Sequence, residues 1–136
     1  MSNTLMNAYA TGTINTCRFV VPDTSHPNGA AQAADGTHLT LGISGNAGRK
    51  RPDPDFTDSD VLVAALAGEV VKINPPGNVS VDLYCNAAWN PGDLLMPDAS
   101  GYGIVATTGK FYGARAEGPG TVGALCPVNV ITGLLP

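Results

Sequence analysis

The side chains able to do chemistry are few in this chain, and most of them gather between residues 45 and 60. There "GNAGRKRPDPDFTDSD" places Asp53, Asp55, Asp58 and Asp60 within eight residues, a spacing from which a calcium ion could draw oxygen ligands. The stretch lacks the glycine at the sixth place and the acidic twelfth ligand of an EF-hand loop. The carboxylates therefore read as solvated turn caps, and no metal is expected. Arg49, Lys50 and Arg51 precede them, but three cations release few counterions and the aspartates alongside neutralise them. A solvated or protein-facing loop is expected, with these three residues and Phe56 as contact candidates.

Elsewhere the groupings that catalysis requires are missing. Ser44 in "GISG" lacks the G-x-S-x-G spacing that holds a serine on a strained elbow, and the two histidines, His26 and His38, lie in or beside loops. "NPPG" at 74–77 and "EGPG" at 117–120 are followed by no G-K-[ST], and no helix offers them an N-terminus for phosphate. Cys17, Cys85 and Cys126 stand far apart without a C-x-x-C, and two histidines cannot complete a zinc site with them, so they read as buried thiols. Asn78-Val79-Ser80 matches a glycosylation sequon that means nothing without a secretory signal. Neither a catalytic centre nor a cofactor is expected.

The elements that would have to position any site are short. The 136 residues include 17 Gly and 11 Pro, and only 13% are charged, against about 25% in an average soluble protein. With 43% apolar residues this is the composition of a folded, turn-rich single domain rather than a disordered chain. A net charge of -4 argues against a nucleic-acid footprint. The longest apolar run, residues 61–67, is far below the ~20 residues that span a bilayer, and "MSNTLMNAYATGT" has neither a basic nor an apolar signal region. Neither nucleic acid nor membrane is expected as a partner.

Along the chain, residues 1–16 are polar and aperiodic and read as an arm. A first strand is expected in "CRFVV", closed by Pro22, then a loop over residues 23–36. "THLTLGIS" alternates Leu39, Leu41 and Ile43 as a half-buried strand would. Residues 61–73 could begin as a short helix capped by Asp58 or Ser59, but their valines favour two strands about Gly68. From there "VSVDLY", "DLLM", "YGIVA", "FYGARA", "VGALC" and "VNVI" alternate with Gly-bearing turns, the pattern of an all-β sandwich or barrel. In "NPGD", Pro91 presets φ, Gly92 accepts a positive φ and Asp93 can bond nearby N–H groups, while Gly101 closes the next hairpin. Trp89 reads as an apolar anchor in the core or at a subunit contact, with an indole N–H in need of a partner. The fold expected is all-β, a small sandwich or barrel of short antiparallel strands over residues 17–136, with the arm at 1–16 and the long loop at about 45–60.

Over residues 61–133 the wording also resembles that of the capsid cement, or decoration, proteins of tailed bacteriophages. The likeness lies in "AGEVVKI", then "AWNPGDLLMPDASGYGIVATTG", then "FYGARAEG" before a last apolar strand; the long insertion before residue 60 departs from it. The resemblance implies a non-enzymatic all-β protein that binds the outer surface of a phage head, with the major capsid protein and two further copies of itself as partners. It is then a virion component made in the host cytoplasm. Phe111, Tyr112, Leu134 and Leu135 are its candidates for capsid or subunit contact, together with Trp89 and the loop residues above. Two other readings stay open: a head or tail fibre part that stacks glycans on Trp89, Tyr84, Tyr102 or Tyr112, and a small β-barrel enzyme.

Overall fold

The computed structural model describes residues 3–46 and 63–136, and these are all-β. In chain order the strands are β1 (Met6–Ala10), β2 (Ile14–Asn15), β3 (Phe19–Asp23), β4 (Gly29–Gln32), β5 (Gly42–Ser44), β6 (Val63–Ala65), β7 (Val70–Asn74), β8 (Val81–Tyr84), β9 (Leu94–Pro97), β10 (Gly103–Val105), β11 (Phe111–Ala116) and β12 (Leu125–Leu134). The first half closes a five-stranded barrel in the order β1-β4-β3-β5-β7, beside which β2 pairs with β6. The second half is a five-stranded sheet in the order β10-β9-β11-β12-β8. An isolated parallel bridge between Cys85 and Gly103 joins its two outer ends.

These halves are the same module built twice. The pairs Met6↔Ile73 through Tyr9↔Val70 in the first recur as Val81↔Val128 through Tyr84↔Leu125 in the second. The parallel closure of β1 on β4 at Ala10↔Ala30 recurs as Cys85↔Gly103, and Ile14↔Ala65 recurs as Trp89↔Gly120. Bonds outside the ladders repeat as well. Gly68 N–H donates to Ala10 O at 2.7 Å and Gly123 N–H to Cys85 O at 2.8 Å, each glycine at positive φ (86° and 84°). Ser25 and Ser100 N–H donate to Oδ1 of Asp23 and Asp98. Residues 6–25 match residues 81–100 without a gap, with Tyr9/Tyr84, Asn15/Asn90, Pro22/Pro97, Asp23/Asp98 and Ser25/Ser100 identical.

Two apolar clusters fill the modules. One is built on Ile14, Val20, Val71, Ile73 and four alanines, the other on Leu83, Trp89, Leu95, Val128 and Val130 with Phe19, Ala33 and Ile43 reaching in from the first module. Phe19 and Ile43 thus weld the halves into one body. Volume is balanced within each module: Ile14 faces Ala30 and Ala65 where Trp89 faces Gly103 and Gly120. A β-carbon on Gly120 would fall 2.5 Å from the indole, and one on Gly103 3.1 Å from it.

Several expectations are corrected. Of the expected arm 1–16, residues 3–16 are not free, because β1 is a wall of the barrel and Asn78 Nδ2 donates to Thr4 O at 2.7 Å. The inward side chains of β1 are Ala8 and Ala10, too small to mark a strand by hydrophobicity. Strand β4 lies within the expected loop 23–36, for the same reason. Strand β3 runs on through Pro22, which pairs with Ala30. "THLTLGIS" contributes only β5, since Leu39 is exposed. "VGALC" and "VNVI" merge into one strand through Pro127, and the β1–β4 ladder is parallel rather than antiparallel. The two strands about Gly68 are β6 and β7.

Because Trp89 fills space that two missing β-carbons leave, Gly120→Ala overpacks the second core and is expected to lose ~1–3 kcal/mol. Combined with Trp89→Ile, its cost falls, so the double variant in a denaturation cycle loses less than the two single losses together. Strict additivity would contradict the packing described.

Candidate functional site

Arg49, Lys50, Arg51 and Phe56, with the four loop aspartates, lie outside the described residues. Of the remaining candidates, Trp89 offers nothing to a partner: it is 4% exposed, and its carbonyl accepts from Gly120 N–H at 2.9 Å. Its Nε1 has no hydrogen-bond partner among the described residues. Phe111 and Leu134 form a cross-strand pair, and Tyr112 stands opposite Gly133 with its ring over the position a β-carbon would take. Leu134 is 54% exposed. The chain beyond it is fastened rather than loose, since Leu135 N–H donates to Lys110 O at 2.9 Å and Leu135 O accepts from Gly109 N–H at 2.8 Å. Phe111, Tyr112, Leu134 and Leu135 therefore share one end of the second module.

The turn residues flank β9, with Pro91, Gly92 and Asp93 before it and Gly101 after it. Asp93 Oδ2 accepts from Asn90 N–H at 2.9 Å, and Gly92, at φ 88°, donates to Ala116 O at 2.8 Å. Gly101, at φ 77°, closes the 98–102 turn, in which Asp98 Oδ1 accepts from Ser100 and Tyr102 N–H. This turn is docked on the first module: Phe19 N–H donates to Gly101 O at 2.9 Å, and Gln32 Nε2 and Arg18 Nη1 both donate to Ser100 O at 3.0 Å.

Arg18, which composition gave no reason to single out, is the hub of this contact. Its guanidinium carbon lies 4.0 Å from the Tyr102 ring centre and 5.1 Å from that of Tyr84, and Nη2 donates to Tyr102 Oη at 3.2 Å. The two rings meet edge-to-face at 5.8 Å. The aromatic residues expected as glycan platforms are thus engaged inside the chain: Tyr84 and Tyr102 by Arg18, Tyr112 by Gly133, Trp89 by the core.

The polar groups that could have formed a catalytic centre are likewise engaged or apart. Ser44 is buried, donating through Oγ to Asn15 O at 2.6 Å and accepting from Arg18 N–H at 3.0 Å, while His38 is exposed. His26 lies 3.7 Å from Asp23 Oδ2 on the surface. Hydrogen bonds from Thr11 and Ser25 hold the Asp23 carboxyl below its usual range, and Thr37 does the same for Asp35. All three cysteines are free and buried. Burial, followed by the charge of Asp82, pushes the Cys17 thiol up to about 12, and burial also raises Cys85. No cluster of three metal-capable side chains occurs among the described residues. A cleft of about 360 Å³ between Leu5, Ser44, Lys72, Asn74 and Asp82 contains neither His nor Cys. What the described surface offers is contact area in the form of exposed apolar side chains on strand faces and turns, among them Leu5, Tyr9, Val70, Val105, Leu125 and Leu134.

No protein-family model matches the sequence, and no curated protein matches it. Among solved structures the fold is similar to the head fiber gp8.5 N base in bacteriophage phi29, with a TM-score of 0.60 over 94% of this chain and 93% of that one, at 14% identity. The shared property is the fold, and it extends across both modules.

Gly92 and Gly101 separate two effects. A β-carbon at Gly92 meets nothing within 4 Å, whereas one at Gly101 would lie 3.0 Å from Gln32 Cγ and 3.2 Å from Ala33 O. Gly92→Val is expected to lose about 1–2 kcal/mol through backbone strain alone, and Gly101→Val distinctly more, because it also opens the contact between modules; thermal melts decide. The buried thiols yield a second expectation. With the Cys17 thiol protonated at pH 8, the folded protein should react with a maleimide only at its unfolding rate, and immediate labelling of Cys17 would contradict its placement.

Proposed function

We infer that the chain is a structural protein of a tailed-phage head, a cement protein that sits on the outer capsid surface and bridges neighbouring coat subunits. The observation that carries this reading is the fold match along nearly the full chain to a head fiber base, which agrees with the cement-protein wording of residues 61–133. The chemistry of the surface supports it. Among the described residues, side chains capable of catalysis are buried, bonded or apart, whereas apolar strand faces and turns remain exposed, the kind of surface that serves protein contact.

The partner is the major capsid protein, and the working unit is a homotrimer. Three equivalent copies bind a three-fold site multivalently and can exceed one subunit's affinity by about 10²-fold without new contact types. A second reading, that the chain is the base of a head fibre, is favoured by the neighbour's own description. Copy number distinguishes the two: a cement layer covers the whole head lattice, whereas fibres occupy a subset of its sites.

Quantitative mass spectrometry of purified virions is the test. Hundreds of copies per particle, removed by stripping that leaves heads fragile, are expected of a cement protein; tens of copies favour the fibre base. Absence from virions would reject both.

A further inference from the structure

The second module closes its ring at a single point, the Cys85↔Gly103 bridge, so β8 keeps an edge that its counterpart β1 shares with β4. Pairing with β12 uses one side of β8. On the other side Tyr84 N–H donates to Cys17 O at 3.1 Å, and Cys17 N–H donates to Gly45 O at 3.3 Å, which ties the edge to the first module at one place. Asp82, two residues earlier, turns its own N–H and C=O to that same side, and neither has a main-chain partner among the described residues. An edge of this kind is a template for another strand.

The edge opens on the cleft of about 360 Å³ between the modules. Val81 and Asp82 line it from the second module, and Gly45, Val70 and Lys72 from the first, together with Leu5. Leu5 and Val70 are exposed apolar side chains, at 56% and 49%. The two charges are opposite, and neither the Lys72 ammonium nor the Asp82 carboxylate has an ion-pair partner among the described residues. A free ladder edge is matched by another backbone rather than by an ion or a small apolar ligand, and apolar side chains beside it receive alternate side chains of that backbone.

We propose that this cleft binds an extended segment of a partner polypeptide, which adds to β8 at Asp82, lays apolar side chains on Leu5 and Val70, and brings an acidic side chain to Lys72 and a basic one to Asp82. That the partner is a coat subunit rests on the capsid-surface role proposed above; the strand site rests on the β8 edge and the cleft beside it.

The test uses the full chain in three arms. Amide hydrogen exchange of the free protein, followed by NMR, should show Asp82 exchanging about 100-fold faster than Leu83, whose pairing with Cys126 lies within the ladder. An Asp82 amide as protected as that of Leu83 overturns the proposal, because the edge is then paired within the chain. Selection from a displayed library of random decapeptides on the immobilised protein should enrich sequences that alternate apolar residues with one acid and one base, and these peptides, made synthetically, should protect the Asp82 amide. Lys72→Glu, at an exposed position, should weaken them about ten-fold without moving the melting midpoint, and Asp82→Pro, which removes the edge N–H, should abolish their binding; Lys72→Glu decides alone if the proline variant does not fold. No enrichment, or peptides whose affinity Lys72→Glu leaves unchanged, overturns the site. In the third arm the native chain and Lys72→Glu are titrated onto isolated phage heads, with the variant expected to bind about ten-fold more weakly. Equal binding of the two overturns the site as the capsid contact and leaves the cement role standing, whereas peptide binding with no binding to heads overturns the coat subunit as the partner and supports the strand site.

Discussion

Five is an odd number, and that sets the architecture of both modules. Around a closed ring of strands, neighbours cannot all alternate in direction when the count is odd, so one pair must run parallel. Here that pair is the first and third strand of each module, joined at Ala10↔Ala30 in one and by the single Cys85↔Gly103 bridge in the other. A narrow ring leaves little room where it closes, which is why Ala, Cys and Gly occupy those places. The remaining features depend on the closure. One large side chain, Ile14 or Trp89, fills the interior beside it, and a glycine at positive φ, Gly68 or Gly123, returns the last strand to the first.

Joining two such rings requires that each present a surface to the other without losing its own ladders. The chain does this with backbone and one cation. Phe19 N–H and Cys17 O, on the edge of β3, bond to Gly101 O and Tyr84 N–H at 2.9 and 3.1 Å, while Arg18 covers two tyrosine rings that would otherwise face solvent. A guanidinium lying over a ring and donating to a carbonyl and a hydroxyl satisfies several neighbours from one side chain. Its Nε has no partner among the described residues, a measure of how fully the planar group is given over to the rings. The arrangement explains why the aromatic content serves the joint between modules.

The second module was the more legible half. Its strands are separated by Asn-Pro-Gly, Ser-Gly and Gly-Pro-Gly turns, and Leu94, Leu95, Val128 and Val130 announce themselves as apolar. The first module hid two strands because β1 and β4 point alanines inward, and short-period alternation cannot be seen in Ala, Gly and Asn. Trp89 was legible as an anchor, but not as a residue sealed in by Gly103 and Gly120. Arg18 gave no signal, because its role depends on rings that lie 66 and 84 residues away. The repeat itself was written in "VVPDTS" and "LMPDAS", where the Pro-Asp-x-Ser turn recurs at the end of an apolar strand. It was masked by the unequal lengths of the later connections in the two modules.

That inequality separates scaffold from elaboration. Between the fourth and last strands, the second module has the short turn of residues 117–120, held by Glu117 accepting from Ser80 N–H and Oγ at 2.9 Å. In the first module the corresponding strands, β5 and β6, are separated in sequence by residues 45–62. Both ends of that stretch are fixed by pairings the insertion does not touch, Ser44↔Ile73 on one side and Ile14↔Ala65 on the other. Since the entropy of closing a loop rises only as the logarithm of its length, extending a four-residue turn to that length costs about 1–2 kcal/mol. A repeated module can therefore keep one copy minimal and let the other carry a longer connection, the stretch of sequence that holds Arg49, Lys50, Arg51 and the four aspartates. The ring closures themselves, at Ala10↔Ala30 and Cys85↔Gly103, are built from the smallest side chains available.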